Sequence, residues 1–339
     1  MTALSHGVAR NGGGNYEAKF NGQRRSFDSW GDLVGWGWQH RGDKPVVWNH
    51  QDRRFEVIQQ KKQRQRLDSY RRIVIDTTAP VTIRQGDTRQ VTLHNFSSAN
   101  NRLRARVSQG TLTVTGGSTT MNYVLGFGSD GGGINFSSNG DKRGVVITVP
   151  KTQRLDSIVS KREGGELSLK KMTVKQISVK STDDVSFNDV RVTKTLAVDT
   201  TAGNISGKQV KADRVDLTAE EGDVSLTQSH FKAVNNRVIS GDGDVRLATT
   251  QLGGGHVVAS DGDIQLHDNR LMGTLKATAT DGDISARIAP AAGAKVTTTD
   301  SDDEIHVVGH SRSSGYWLRR AASAQYRLST DDGDITVTQ

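Results

Sequence analysis

Gly222-Asp223-Val224-Ser225-Leu226 returns as Gly243-Asp244-Val245-Arg246-Leu247 and again as Gly262-Asp263-Ile264-Gln265-Leu266. The same signature is legible at Gly203-Asn204-Ile205, Gly282-Asp283-Ile284 and Gly333-Asp334-Ile335, with degenerate copies at Gly165-Glu166-Leu167, Asp183-Asp184-Val185 and Asp303-Glu304-Ile305. A unit that recurs about every twenty residues is too short to enclose a core of its own, so the copies must bury their apolar faces against one another by stacking.

Each signature opens a stretch in which apolar and polar residues alternate, the period of a half-buried strand. Before each signature stands a second short strand, in which a larger apolar residue precedes a small one by two positions: Leu217 and Ala219, Val238 and Ser240, Val257 and Ala259, Leu328 and Thr330. Two inward-facing strands joined by one turn are therefore predicted for each unit. Glycine suits the turn because it tolerates positive φ or a close backbone approach, and Asp or Asn suits it because the side chain can bond nearby N–H groups. The predicted fold is all-β: a β-solenoid, right- or left-handed, of the parallel β-helix or β-roll kind, with rungs of ~20 residues.

Residues 68–339 are expected to form this repeat domain, with less regular opening strands at Ile73-Val74-Ile75, Val81-Thr82-Ile83, Val91-Thr92-Leu93, Leu112-Thr113-Val114 and Val145 to Pro150. The longer gap before the last signature holds an insertion at about 309–324, carrying Tyr316, Trp317, Arg319 and Arg320, which reads as a loop or short helix. It serves as a cap or spacer, or marks a functional side. Residues 1–67 stand apart, glycine-rich and then carrying Trp30, Trp36, Trp38 and Trp48. A cap over the open solenoid edge, an interfacial belt beside a membrane anchor and a sugar-stacking platform are all compatible with that composition.

The 339 residues include no cysteine, which excludes disulfides, thiolate metal sites and a Cys nucleophile. No run of eighteen apolar residues occurs and the first fourteen lack the pattern of a signal peptide. The net charge of +8 is concentrated, since Arg53, Arg54, Lys61, Lys62, Arg64, Arg66, Arg71 and Arg72 face only Glu56 and Asp68 within one short segment. That cluster is either a solvated face or a site for anionic lipid or a phosphate-rich wall polymer. Nucleic acid is not expected, because no aromatic residues are interleaved for base stacking.

The stacked acidic turns admit three readings. Each Asp bonds its own turn's backbone; or Asp244, Asp263 and Asp283 hold calcium between rungs; or two carboxylates form a sugar-cleaving pair. Repetition argues against the last, because catalysis needs one differentiated site. Gly126 to Gly131 matches G-x-G-x-x-G without the strand-turn-helix context that a dinucleotide site requires, and Arg41-Gly42-Asp43 is an adhesion tripeptide short enough to arise by chance. The histidines show no metal-ligand spacing, and no nucleophile is paired with a base.

The strands Ile73 to Asp76 and Val81 to Ile83, the strand from Val145 that ends in Val149-Pro150, and the serial Gly-Asp-Val or Gly-Asp-Ile turns resemble the bacterial putative-adhesin family of β-strand-repeat domains over about Asp68 to Gln339. The resemblance implies a cell-envelope protein of unknown biochemical function, often membrane-anchored and in some members tied to envelope stress in Gram-positive bacteria. It implies no catalytic residue and no cofactor. The expected function is thus a noncatalytic cell-surface solenoid, an adhesin or envelope scaffold that engages a glycan, wall polymer or protein, with its anchor in a segment outside this sequence. A β-helix polysaccharide lyase or hydrolase and a membrane-proximal envelope-stress sensor are the alternatives.

Overall fold

The structure is a computed structural model. It describes side chains over residues 62–95, 102–117, 144–161, 164–300, 304–312 and 315–339, and the backbone of several strands outside these ranges. Among the described residues every regular element is a strand, so the fold is all-β, and no helix is long and apolar enough to cross a membrane.

The contacts divide the chain into two units, and the division differs from a break after residue 67. Residues 1–64, 92–103 and 117–144 form the first unit, and residues 65–91, 104–116 and 145–339 form the second. Parts of the stretch expected to open the solenoid therefore belong with the N-terminal segment. The first unit contains a three-stranded antiparallel sheet, Val8–Arg10, Tyr16–Phe20 and Gln23–Phe27, and a four-stranded one in which Val124–Gly126 pairs with both Val46–Asn49 and Asn135–Ser137.

The second unit is solenoid-like. Strands Ile205–Lys208, Val224–Thr227, Val245–Ala248, Ile264–His267 and Ile284–Arg287 lie side by side in parallel, aligning Ile205, Val224, Val245, Ile264 and Ile284 in one buried column. Two positions on, Gly207, Leu226, Leu247, Leu266 and Ala286 form the next column. The strands before the turns align Leu217, Val238, Val257, Ala277 and Leu328. Period-two alternation sends these aliphatic side chains inward while their neighbours meet water.

Each regular rung has a third strand that was not expected. His230–Phe231, Gln251–Leu252 and Arg270–Leu271 are only two residues long, and each contributes one buried apolar side chain. The corner leading into it is left-handed without glycine: φ is 57° at Gln209, 51° at Gln228, 52° at Thr249 and 55° at Asp268. Such backbone costs roughly 1–2 kcal/mol for an L-residue. It is held because each corner N–H bonds a carbonyl of the adjoining rung, as in Gln228 N to Ala248 O at 3.1 Å and Thr249 N to His267 O at 2.9 Å.

At both ends spatial order departs from chain order. Strand Arg72–Thr77 is sandwiched between Thr111–Gly116 and Leu155–Ser160, so Ile73 has Leu112 on one side and Ile158 on the other. At the far end Gln325–Asp332 lies between Thr274–Asp281 and Gly293–Thr298, and Ile335–Thr338 lies between Ile284–Arg287 and Ile305–Val307. Strand Ile335–Thr338 is thus bonded along both edges, its outer partner being a segment made before it. The insertion forms neither loop alone nor helix: His310–Arg312 and Tyr316–Leu318 pair antiparallel with Ile305–Val307 and Gly293–Thr298 of the outermost rung.

Burial pushes the hydroxyls of Tyr70 and Tyr326 up from 10 to about 12, with Arg89 acting in the opposite direction at Tyr70. The folded state keeps these two protons after the unfolded chain has released its own. Stability from this source is complete below about pH 10 and is lost as the pH climbs through about 12. Tyrosinate absorbance during an alkaline titration should show two late-ionising tyrosines in native protein and a single early step in urea; coincident titrations would contradict the burial.

Candidate functional site

The acidic turns stack as expected but bond differently. Oδ1 of Asp223 accepts the N–H of Asp244 at 2.9 Å, Asp244 that of Asp263 at 2.8 Å, Asp263 that of Asp283 at 2.9 Å and Asp283 that of Asp334 at 2.8 Å. Asn204 precedes the series, and Asp334 passes it on to Glu304. Each side chain reaches the next rung and not its own turn, which corrects the first of the three readings. One oxygen each of Asp244, Asp263 and Asp283 is committed to this ladder, and among the described residues no group of three acidic or His side chains converges as a metal site would require. Charge-assisted N–H bonds offset the repulsion between stacked carboxylates.

Removing one acceptor orphans one N–H. Asp263→Ala should cost about 1–2 kcal/mol in urea unfolding, while Asp263→Asn, which keeps the acceptor oxygen, should cost less than half as much. Equal losses would mean that charge, not the hydrogen bond, is what the column supplies.

A different feature gathers free positive charge. Arg191, Lys211 and His230 lie in register on adjacent rungs, and the column continues through Gln251 to Arg270. Beside them a groove of about 360 Å³ is floored by the buried Val192 and Ala212 and edged by Arg191, Lys211, His230 and Lys232. The register between the strands slips between Val192 and Thr195, so Thr193 and Lys194 face Asp213 alone. Such a bulge re-aims side chains locally, and the groove sits beside it. Lys232 pairs with Asp213 at 3.4 Å, whereas Arg191 and Lys211 have no carboxylate partner among the described residues.

The basic residues expected near the N-terminus do not share one environment. Arg53 lies outside the described residues, and Arg54 and Lys61 are placed by backbone only, on strands Arg54–Val57 and Gln60–Arg66. Lys62, Arg64 and Arg66 alternate along that second strand and are exposed. Lys62 and Arg64 belong to the first unit, and Arg66, Arg71 and Arg72 to the second. Arg71 is paired with Asp156 at 2.9 Å, and Arg72 donates to Thr111 Oγ1 at 3.1 Å. Trp30, Trp36, Trp38, Arg41 to Asp43 and the glycine-rich loop after Gly126 lie outside the described residues, and Trp48 is placed by backbone alone. On the outermost rung, Trp317 is flanked by Lys295 Nζ at 5.7 Å and Arg320 Cζ at 4.8 Å from its ring centroid.

The family model for Toastrack DUF4097 matches residues 70–338. The chain belongs to the Toastrack family. The Toastrack match spans the stacked unit and both of its interleaved ends. Solved structures that the chain matches include a putative adhesin from Parabacteroides distasonis, at 11% identity and a TM-score of 0.48, covering 82% of this chain and 97% of that one. A putative lipid binding protein from the same organism matches at 12% identity and a TM-score of 0.47, over 83% of this chain and 97% of that one. A putative cell adhesion protein from Clostridium sporogenes matches at 9% identity and a TM-score of 0.23, over 83% of this Toastrack chain and all of its own. No curated protein matches.

The groove was missed in the sequence because its cations are scattered about one repeat apart. Aligning the units on the two-residue third strand brings Arg191, Lys211 and His230 into one column, but that strand carries too little periodicity to be recognised first.

Proposed function

We propose that this chain is a noncatalytic interaction module displayed on the bacterial cell surface, adhesin-like or scaffolding in role, engaging a cell-surface glycan, wall polymer or protein. One observation carries the reading: the repeated acidic turns are alike in what they do, each carboxylate holding the N–H of the next rung. Acid and base roles need two groups whose environments push them apart. Asp268, clamped by Arg287 at 2.7 and 2.6 Å, is held below the usual carboxylate range chiefly by that hydrogen bond, the direction opposite to what a general acid needs. Surface display follows the resemblance set out above.

The test pairs two measurements on the full chain. Glycan-array and whole-cell binding, with and without chelator, should show retention on a surface component. A screen of wall and plant polysaccharides should show no new reducing ends. Bond cleavage that disappears in Asp244→Ala and Asp263→Ala variants with intact folds would overturn the proposal.

A further inference from the structure

We infer that the groove edged by Arg191, Lys211, His230 and Lys232 is a binding site for a linear polyanion bearing phosphate or sulfate groups. This rests on the reading of the chain as a binding module and names the chemistry of its ligand.

Three features converge on that class. First, Arg191 and Lys211 are exposed cations without a carboxylate partner among the described residues, and Asp213, the acidic residue lining the groove, is engaged by Lys232 at 3.4 Å. A guanidinium and an ammonium left in this state supply donors that phosphate or sulfate oxygens accept without displacing an existing pair. Second, the array is elongated. In-register residues on adjacent rungs stand about 4.8 Å apart, so Arg191, Lys211 and His230 form a row along which a chain of anions lies, while a single anion meets only part of it. Third, the groove is a recess beside the bulge at Thr193, which leaves room for the uncharged links between the anionic groups of a chain lying along the row.

The same features disfavour other polyanions. No Phe, Tyr or Trp lines the groove and the imidazole of His230 is its single ring, so successive nucleic acid bases have no row of platforms to stack on. A bilayer surface meets protruding side chains more readily than a recess, and the large exposed apolar residues Val234, Met272, Val308 and Trp317 are not among the lining residues.

The experiment measures equilibrium binding of the full chain at low salt to sodium polyphosphate and to dextran sulfate, against inorganic phosphate, neutral dextran and phosphatidylglycerol vesicles. Either anionic polymer is expected to bind, more tightly than inorganic phosphate and with an affinity that falls as salt rises. Lys211→Gln and Arg191→Gln should each weaken that binding about tenfold. Arg246→Gln removes the same charge from an exposed position elsewhere on the same unit, where the neighbours in its column, Ser206, Ser225, Gln265 and Ser285, carry no charge. It should change affinity by less than about twofold, since exposed charges act weakly at a distance.

Equal weakening by Arg246→Gln and Lys211→Gln would reduce the site to diffuse attraction and overturn it. So would failure of both polymers to bind, or vesicle binding that exceeds polymer binding and survives Lys211→Gln. None of these results bears on whether the chain cleaves glycans, so the failure of this inference is distinguishable from failure of the noncatalytic reading.

Discussion

Gly262→Ala is expected to destabilise the stacked unit by about 3 kcal/mol, near the upper end for overpacking. A Cβ at this position would stand 2.4 Å from the Gly243 carbonyl oxygen and 2.6 Å from its carbon. Neither atom is a flexible side-chain end. To retreat, the Gly243 turn would have to move against Gly222, which it approaches just as closely, and would stretch the bond from Asp263 N to Asp244 Oδ1. Gly110→Ala is the comparison: φ there is 68° and a Cβ would meet nothing within 4 Å, so only the backbone term of about 1 kcal/mol applies. Urea midpoints with unchanged slopes separate the two. If Gly262→Ala costs no more than Gly110→Ala, close approach is not why glycine occupies the turns.

Removing residues 325–339 should have the largest effect of all. The deletion takes out Tyr326, Leu328, Ile335 and Val337, all buried, and leaves facing strand edges without partners. At about 1.5 kcal/mol or more for each apolar side chain, the loss is on the order of 6 kcal/mol before any backbone bonds are counted. Hydrogen exchange should show protection vanishing from Gly293–Thr298 and Ile305–Val307, with its return when a peptide of residues 325–339 is added. Protection that survives the deletion would mean that those strands do not depend on the last rung for a partner.

The turns were legible in the sequence because Gly-Asp followed by Val or Ile imposes a close approach, a side-chain acceptor and a buried β-branched residue in three consecutive positions. The columns from Ile205 to Ile284 and from Leu217 to Ala277 follow from that alignment. The third strand was not legible, since Phe231, Leu252 and Leu271 are each the one buried apolar residue of a two-residue strand, and two residues show no period. Its entry corner was equally silent: Gln228 and Thr249 adopt positive φ with no glycine to announce it. The interleaved ends were hidden for another reason. Asp303-Glu304-Ile305 and Gly333-Asp334-Ile335 present the same pattern, so either is equally able to follow Ile284. The chain's route is decided by the antiparallel pairing of Tyr316–Leu318 with Gly293–Thr298, which occupies the outer edge of that rung.

The burial of Leu328 between Ala277 and Val296 has a consequence for biosynthesis. Strands Gly293–Thr298 and Ile305–Val307 leave the ribosome before Gln325–Asp332 and Ile335–Thr338, their parallel neighbours among the described residues, and they dock only once those later strands have emerged. The earlier rungs zip up as they emerge, whereas this end closes only once residues 325–338 have followed, so a product cut short of them would carry raw strand edges that mark it for quality control.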